Sequence, residues 1–338
     1  MKPYLVDVPV RVNIWIRPDA QKRQFEVIKQ ARPSIMFLVS DGGRNEKEWE
    51  AIRQNRKMID EGIDWECTVY RFYEEENNGL YGIGEKYTNF LWETVDRCIF
   101  LEDDQIPSVS YFKYCSELLE KYKDDERIEA ICARNQIGIW GKATADYFFA
   151  KKGSIWGLAT WRRTQQQRDN TFAYGADQYI MELLKHQTKK DKKFWKSIAG
   201  YPKNKFYGNH IAGDEFYHQL EVYAQNRLYI IPKKNLINNI GCTENSAHAQ
   251  NFKMLPRATK KLFNVKTYEL DFPIKHPRYV IPDEQFVKER NKLLGNGTPF
   301  LKFSRKIESF FLALIHSGIK GIIVRIKNKI MKKKTIEK

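Results

Sequence analysis

Short apolar runs alternate with amphipathic stretches along the first 133 residues of the chain. Runs rich in Val, Ile, Leu and Phe predict strands at residues 10–16, 35–40, 68–73, 97–101 and 128–133. Between them, apolar positions recur every three to four residues, which predicts helices at residues 19–31, 45–61, 82–95 and 108–123. Strands alternating with helices of this length predict an α/β fold with a central, mostly parallel sheet flanked by helices.

The pattern weakens after residue 135. Residues 136–212 hold four Trp among many Gly, Lys and Gln, and they show no clear period. A helix is predicted at residues 213–225 and a short strand at 228–231, and residues 252–300 are again irregular. We therefore expect three units along the chain. They are a domain at residues 1–255, an irregular extension at 256–301 and a helical tail at 302–338.

The tail at residues 302–338 is basic and amphipathic. It contains eleven Lys and Arg against two Glu, and so it contributes +9 of the chain's net charge of +16. Isoleucines recur at helical spacing on one face, at positions 319, 322, 323, 326 and 330. Gly318 and Gly321 predict a bend within this helix. A basic amphipathic helix is typical of a segment that lies on an anionic membrane surface, and the alternative is an ordinary helix packed on the domain.

Composition excludes several classes of protein. With 42% hydrophobic and 30% charged residues, the chain does not fit wholesale disorder, collagen or a multi-span membrane protein. It has no run of 18 apolar residues and no leader-like N-terminus, so we expect no spanning helix and no signal peptide. Five widely spaced cysteines without a CxxC motif favour neither a disulfide framework nor a zinc site. These features predict a cytoplasmic protein, held peripherally on the inner face of the plasma membrane by its tail.

The sharpest chemical feature is the acidic triplet Glu102-Asp103-Asp104, which directly follows the apolar run at 97–101. In open α/β sheets, ligands bind at the carboxyl ends of the strands. Carboxylates crowded at a strand end repel one another unless a cation lies between them, and their hard oxygens suit Mg²⁺ or Mn²⁺. Continued strand alternation would turn Glu102 and Asp104 to one side and Asp103 to the other. The alternative is an acidic turn in contact with solvent.

Other polar positions are less specific. Asp214 and Glu215 open the predicted helix at 213–225, either as favourable charge at a helix N-terminus or as a general base. His248 lies in a polar loop, and a loop histidine taken alone is most simply a solvated side chain. No P-loop, HExxH or GxSxG motif occurs, so the sequence does not support a P-loop nucleotide-binding protein, a zinc protease or a serine hydrolase.

Taken together, several segments resemble the GT-A glycosyltransferases, in particular bacterial relatives of the eukaryotic N-acetylglucosaminyltransferase I type. The resemblance extends over residues 8–250. The segments that carry it are Phe100–Asp104 followed by Pro107, Tyr111 and Phe112; Ser40–Gly43; Arg17; Ile155–Trp161; and Pro232–Gly241 followed by His248. The acidic triplet and the ending from proline to histidine, in this order, are its specific part.

The resemblance implies an enzyme that transfers a sugar from a nucleotide-sugar of the UDP type to a hydroxyl of a glycan or lipid-linked acceptor, with inversion, in bacterial surface polysaccharide or glycolipid synthesis. It implies that Asp104 and His248 bind a metal, Mn²⁺ or Mg²⁺, which bridges the diphosphate of the donor. The implied donor pocket includes Arg17, Asp41, Gly42, Glu102, Asp103, Trp156 and Gly157. The implied catalytic base is Asp214 or Glu215, and the sequence leaves both open.

Two other interpretations compete with a glycosyltransferase. A nucleotidyltransferase has the same kind of sheet and acidic strand end, and it would release pyrophosphate from a nucleoside triphosphate. A nucleic-acid-binding module would need cations and aromatic residues interleaved on the main domain. Because +9 of the +16 lies in the tail, residues 1–301 carry only +7. We therefore expect no nucleic-acid partner.

Overall fold

The structure, a computed structural model, describes residues 1–204, 212–241, 255–261, 263, 265–295 and 298–336, with the backbone alone for 81, 85, 259 and 319–336. The strands are β1 (Val6–Ile14), β2 (Pro33–Ser40), β3 (Thr68–Tyr73), β4 (Arg97–Leu101), β5 (Gln105–Pro107), β6 (Ile128–Cys132), β7 (Tyr147–Ala150), β8 (Leu158–Trp161), β9 (Leu228–Pro232) and β10 (Ile237–Asn239). The helices are α1 (Pro18–Ala31), α2 (Glu46–Gly62), α3 (Gly79–Lys86), α4 (Thr88–Thr94), α5 (Ser110–Lys121), α6 (Arg162–Gln166), α7 (Gln178–Gln187), α8 (Lys192–Gly200), α9 (Asp214–Ala224), α10 (Arg257–Lys260), α11 (Glu284–Leu294) and α12 (Pro299–Ile336). A short 3-10 helix spans Ala173–Ala176.

Eight strands form a central sheet in the order β3-β2-β1-β4-β8-β6-β9-β7. β8 is antiparallel to β4 and β6, and β7 is antiparallel to β9, whereas the other pairs are parallel. Six of the eight strands therefore point in one direction. Helices α2, α5 and α9 pack against the sheet. The expected α/β class, with a mostly parallel central sheet, flanking helices and a C-terminal helix, is confirmed.

The central strands are buried on both faces because helices cover them. Val8, Val10 and Val12 of β1 are fully buried, and Arg11 between them is only 4% exposed. β6 is buried along its whole length, including Glu129. One large hydrophobic cluster joins side chains from β1, β2, β4, β6, α1 and α5. Removal of this apolar surface from water is the main force that holds the sheet and helices together.

The apolar runs predict the parallel strands well, whereas one helix and the short strands β7 and β8 are not predicted correctly. All five strands expected in the first 133 residues are present, with their ends shifted by at most four residues. The helix expected at residues 82–95 is instead two helices, α3 and α4, divided at Tyr87. β7 and β8 were not predicted, because each has four residues that are all buried and so lacks alternating polar positions.

The segment expected to be an irregular extension, residues 256–301, instead contains α10 and α11 and adds to the main core. Leu270 and Ile274 belong to the main hydrophobic cluster. Asp283 caps α11 and also accepts a hydrogen bond from Trp140 Nε1 at 2.7 Å. These helices show no clear apolar period in the sequence, because the segment contains many prolines and charged residues and α11 buries only two of its residues.

α12 is the predicted tail helix, and the bend expected within it lies at Gly318. This residue has φ 59° and ψ −176°, which are outside the helical region. Before the bend, one face of α12 contacts α10 and α11. Arg305 donates to Leu293 O at 2.7 Å, and Glu308 accepts the backbone N–H of Arg257 at 2.8 Å.

A second face of α12 is apolar and exposed to solvent. It consists of seven residues that recur every three or four positions, and we call it the apolar stripe: Phe300, Phe303, Ile307, Phe310, Phe311, Leu314 and Ile315. The isoleucines after residue 318, on which the sequence prediction rested, lie outside the described side chains. Among the helices that the structure describes, none has both the length and the apolar run that a membrane crossing needs.

Candidate active site

The candidate site lies at one edge of the sheet, where neighbouring parallel strands end. β1 pairs in parallel with β2 on one side and β4 on the other, so their carboxyl ends lie side by side. Arg17 follows β1, Asp41 follows β2 and the acidic triplet follows β4. Sequence analysis places ligand binding at such an edge, and the topology brings these expected residues to it.

Arg17 lies against two carboxylates of the triplet. Its Nη1 atom is 2.6 Å from Asp103 Oδ1 and 3.6 Å from Asp104 Oδ2. The predicted alternation of the three side chains is wrong, because β4 has already ended and the chain turns. The backbone N–H of Gln105 donates to Glu102 O at 3.1 Å and closes that turn. The turn therefore presents the last two carboxylates to the same cation.

The triplet is a group of like charges in a desolvated place. Burial, together with the charges of Asp104 and Asp103, raises the pKa of Glu102 to about 7. Burial likewise raises the pKa of Asp103 to about 6, although Arg17 opposes the shift. The pKa of Asp104 is also raised, mainly by burial. Such a group is stabilised by any bound species that brings positive charge to it.

Asp104 is held from the second half of the chain. β10 pairs with β5, which sets Asn239 opposite Gln105. From there Asn239 Nδ2 donates to Asp104 Oδ1 at 2.8 Å, and the backbone N–H of Ile240 donates to Asp104 O at 3.0 Å. A Cβ atom at Gly241 would lie 1.8 Å from Asp104 Oδ2, so no side chain fits at this position. The carboxylate therefore has a fixed orientation.

The oxygens at this place fit a hard divalent cation that is held together with substrate oxygens. Asp104 offers a carboxylate, and Asp103 Oδ2 is buried without a hydrogen-bond partner among the residues that the structure describes. Within those residues, no three His, Cys, Asp or Glu side chains are grouped to hold a metal ion. Mg²⁺ is commonly bound by one or two carboxylates plus substrate phosphates, which this arrangement allows. His248, the other expected ligand, lies outside the described residues.

Two buried glutamines that sequence analysis missed fix the triplet turn. Gln24 of α1 donates to Glu102 O and to Gln105 O, both at 2.6 Å. Gln105 Nε2 donates to Glu102 Oε2 at 3.0 Å, and its Oε1 accepts the backbone N–H of Gly157 at 2.9 Å. Gln24 interrupts the apolar face of a predicted helix, and that interruption is the signal that could have identified it.

The expected donor-pocket residues Trp156 and Gly157 lie near the triplet, because Gln105 contacts both Gly157 and Glu102. Gly157 has φ +60°, and a Cβ there would lie 2.5 Å from Ile237 Cδ1. The Trp156 ring packs under the guanidinium of Arg134, 3.7 Å from the ring centroid. Burial lowers the pKa of Arg134 to about 9. The half-buried aromatic ring and a buried cation therefore form one wall next to the triplet.

Asp41 and Gly42 lie at the end of β2 as expected, but the structure gives them a role in folding a loop. Asp41 Oδ1 accepts the N–H of Asn78 at 2.8 Å, and Oδ2 accepts the N–H of Gly79 at 2.9 Å. Asn77 Nδ2 also donates to Asp41 Oδ2 at 3.0 Å. A Cβ at Gly42 would lie 2.5 Å from the backbone of the same loop. In this structure the Asp41 carboxylate holds the start of α3, and its contact with a nucleotide stays a prediction.

Asp214 and Glu215 are adjacent on α9 but face different partners. Asp214 Oδ1 lies 2.7 Å from Arg168 Nη1, and its charge makes a small contribution to the raised pKa of Glu102. The positive charges of Arg168 and, to a smaller extent, Arg11 hold the pKa of Asp214 below its usual value. The charge of Glu215 instead acts on Lys152 and Arg290, where it opposes the lowering of their pKa values by burial.

Arg11 is a further charged residue at the site that the sequence did not reveal. It lies in the middle of β1 and donates to the carbonyls of Gly84 at 3.0 Å and Ile83 at 3.2 Å, at the end of α3. Burial lowers its pKa, and the charge of Asp214 opposes that shift. In the sequence, a single arginine within an apolar strand has the same pattern as an exposed polar residue on a half-exposed strand. The pattern of apolar positions therefore does not identify Arg11 as buried.

Comparison with known proteins gives only distant similarities. No family model and no curated protein matches the chain. A solved mannosyltransferase from Pyrobaculum calidifontis, in complex with GDP-Man and Mn²⁺, is 10% identical, with a TM-score of 0.37, over 97% of this chain and 82% of its own. The apo-form glycosyltransferase GlyE of Streptococcus pneumoniae TIGR4 is 14% identical, with a TM-score of 0.28, over 66% of this chain and 44% of its own. A cytidylyltransferase from Leptospira borgpetersenii is 10% identical, with a TM-score of 0.28, over 67% of this chain and 95% of its own. Similarities this distant do not identify a function.

The packing at Gly157 predicts the effect of a single methyl group. We expect Gly157→Ala to lower the free energy of unfolding by about 2 kcal/mol, because the residue combines a left-handed backbone with a crowded site. Chemical denaturation measures this directly. Gly141→Ala is the matched control, since a Cβ there meets no atom within 4 Å. Equal stability of the two variants would contradict the packing described here.

Proposed function

We propose that the chain is a metal-dependent glycosyltransferase that transfers a sugar from a nucleotide-sugar to a hydroxyl group. The observation that carries this proposal is the arrangement at the edge of the sheet. The triplet with Arg17 lies at the end of β4, and the charge of Asp214, at the start of α9, acts on Glu102 of the triplet. The triplet and Arg17 supply charges for a diphosphate and its cation, and Asp214 supplies a carboxylate that can take a proton.

The donor is held at the triplet. Asp104 is the residue that would hold Mn²⁺ or Mg²⁺, and His248 is the second expected ligand. When bound, the metal neutralises charge on the diphosphate leaving group. Arg17 is placed to contact the same diphosphate, because it already lies against Asp103 and Asp104. On the resemblance described above we propose a UDP-sugar, with the other donor-pocket residues around it.

Asp214 is the proposed catalytic base, in preference to Glu215. Its lowered pKa keeps it ionised at neutral pH, and its charge acts on Glu102 of the triplet, whereas the charge of Glu215 acts on Lys152 and Arg290. The carboxylate takes the proton of the acceptor hydroxyl while the acceptor oxygen bonds to the anomeric carbon. The bond from that carbon to the diphosphate breaks, and the nucleoside diphosphate leaves. Attack from the face opposite the leaving group inverts the anomeric centre.

The ring of Trp156 supports binding of a sugar at the same wall. An indole offers an apolar face to the C–H groups of a pyranose. Arg134 covers one face of the ring, 3.7 Å from its centroid. We propose that this pair shapes the pocket in which the sugar or the acceptor lies.

We further propose that α12 holds the enzyme on an anionic membrane surface, where a glycan or lipid-linked acceptor is present. The apolar stripe supports this proposal, since Phe300 is 76% exposed, Phe303 63% and Ile315 73%. Lys302 and Lys306 are exposed on the same part of α12, and residues 302–338 as a whole carry +9. Apolar side chains next to many cations fit anionic lipid better than a neutral protein partner. Synthesis of a surface polysaccharide or glycolipid on the inner face of the plasma membrane is the role we propose.

The metal and donor assignment predicts the behaviour of Asp104→Asn. With a panel of nucleotide-sugars and Mn²⁺, we expect the variant to release nucleoside diphosphate about 100-fold more slowly than the wild type. Asp124→Asn, an exposed acid on the same protein, is the matched control and should retain wild-type activity. The donor proposal fails if Asp104→Asn keeps full Mn²⁺-dependent release. Release of pyrophosphate from a nucleoside triphosphate would instead identify a nucleotidyltransferase.

The base assignment predicts different outcomes at two adjacent residues. Asp214→Asn should lower kcat for transfer by about 100-fold or more and leave donor affinity near wild type, because a base acts only in the chemical step. Glu215→Gln should change kcat little. Steady-state kinetics with donor and acceptor varied separately measure both constants. The reverse ranking of the two variants would assign the base to Glu215.

The membrane proposal predicts loss of binding when the stripe is made polar. We expect Phe303→Ser with Phe310→Ser to weaken sedimentation with phosphatidylcholine vesicles containing phosphatidylglycerol by at least about tenfold. Tyr179→Ser with Leu183→Ser removes another exposed apolar pair, on α7, and should bind as the wild type does. Equal binding to pure phosphatidylcholine, or dimerisation through the stripe in sedimentation velocity, would contradict an anionic lipid surface as the partner.

A further inference from the structure

A chain of short polar contacts leads from Asp214 into the interior of the protein. Asp214 Oδ1 accepts from Arg168 Nη1 at 2.7 Å, and Arg168 Nη2 lies 2.8 Å from His218 Nε2. His218 Nδ1 lies 2.6 Å from Glu129 Oε1. Arg227 Nη1 donates to the other oxygen of Glu129 at 3.0 Å. Five side chains from four separate parts of the sequence therefore form one connected network.

The geometry fixes the protonation state of His218. A guanidinium group has donors and no acceptor, so His218 Nε2 must accept the hydrogen bond from Arg168. The ring proton is then on Nδ1, which donates to Glu129. His218 is accordingly a neutral imidazole in a single tautomer. A carboxylate that accepts from Nδ1 is a common way in which proteins select this tautomer.

The network becomes more buried along its length. Glu129 is fully buried in β6, the His218 side chain is 2% exposed and that of Arg168 is 9% exposed, whereas that of Asp214 is 71% exposed. Burial acts to raise the pKa of Glu129, but His218 and Arg227 hold it below its usual value, so Glu129 stays ionised. A buried ionised carboxylate with two fixed partners is a rigid anchor, since breaking either contact leaves a charge without compensation.

The charged surroundings of His218 come from four elements. On α9, Asp214, His218 and Glu221 lie on one helical face at spacings of four and three residues. Burial and the charge of Glu129 raise the pKa of Glu221 to about 7. The titratable or charged groups that face His218 are Glu129 of β6, Arg168 after α6, Arg227 before β9, and Asp214 and Glu221 of α9.

We propose that Glu129, His218 and Arg168 form a positioning chain that holds the carboxylate of Asp214 in place, and that a proton on His218 releases it. This proposal rests on the proposed role of Asp214 as the base. Once Nε2 carries a proton, His218 can no longer accept from Arg168, and two cations face each other. Arg168 then moves away from the ring, and Asp214 loses the contact that orients it. The three residues of the chain act through Asp214 and do not themselves touch substrate.

The sign of the pH effect follows from this arrangement. His218 must be neutral for the positioning chain to form, so uptake of a proton by His218 lowers kcat. Donor binding at the triplet does not pass through the chain, so KM for the donor should be the same in the wild type and in His218→Gln at each pH. A change in kcat without a change in KM separates positioning of the base from loss of the donor site.

The test is the pH profile of two substitutions at residue 218. His218→Gln keeps an acceptor oxygen for Arg168 and takes up no proton near neutral pH, so we expect wild-type kcat within about threefold at pH 8 and a smaller loss of kcat than in the wild type as the pH is lowered. His218→Leu removes the acceptor, and we expect kcat to fall by about 10- to 100-fold at every pH, as for other small misplacements of a reacting group. His276→Gln is the control, because His276 also lies near a carboxylate, 3.1 Å from Glu117, but is not part of the chain. It should keep the wild-type profile.

A measurement on the resting protein tests the chain without any substrate. The nitrogen-15 shifts of the His218 ring at pH 8 should show a protonated Nδ1 and an unprotonated Nε2. A proton on Nε2 at that pH, or a His218→Gln variant with the same acid-side fall as the wild type, would overturn the proposal. If no nucleotide-sugar is turned over but the ring shows the expected tautomer, the proposed function fails while the contact of His218 with Arg168 stands. If transfer occurs and His218→Leu has wild-type kcat, the positioning chain fails alone.

Discussion

Repulsion between three consecutive carboxylates at the end of β4 is the constraint around which the site is built. The triplet is desolvated, and the pKa of Glu102 is raised to about 7. An unfolded glutamate titrates near about 4.3. The folded state therefore binds this proton more tightly, and folding becomes less favourable as the pH rises between these two values. Arg17 offsets part of the repulsion through Asp103 and Asp104. A bound divalent cation would offset more, which is why a strained acidic group at a strand end is a reasonable place for a metal and a diphosphate.

Distant parts of the chain hold the carboxylates in position. Gln24 and Gln105 fix the turn of the triplet, and β10 returns Asn239 to the side of Asp104. Close packing at Gly241 leaves Asp104 no room to rotate toward it. Asp214 belongs to a separate set of contacts that starts in β6. In the proposed enzyme, one set of contacts holds the carboxylates that bind the cation and the leaving group, and the other set holds the proton acceptor. Substitutions can therefore alter one function without the other.

The sequence predicts those parts of the fold and site that depend on simple patterns. Apolar runs place the parallel strands, and the acidic triplet stands out because it follows such a run. Arg11, Gln24 and Gln105 were missed because a buried polar side chain in an apolar segment has the same local pattern as an exposed one. The orientations of Asp103 and Asp104 were wrong because strand alternation was carried past the end of β4. The choice between the two acids of α9 depends on partners, Arg168 and Arg290, that are far away in sequence. His248 stays a prediction, since it lies outside the described residues.

The central claim is that a divalent cation and a nucleoside diphosphate bind together at the end of β4. Crystals grown with Mn²⁺ and a nucleoside diphosphate, with anomalous diffraction from the manganese, test it most directly. The account predicts one anomalous peak in contact with the carboxylate of Asp104, with the diphosphate between that peak and Arg17. A manganese peak away from the triplet, or a diphosphate bound elsewhere on the sheet, would contradict it.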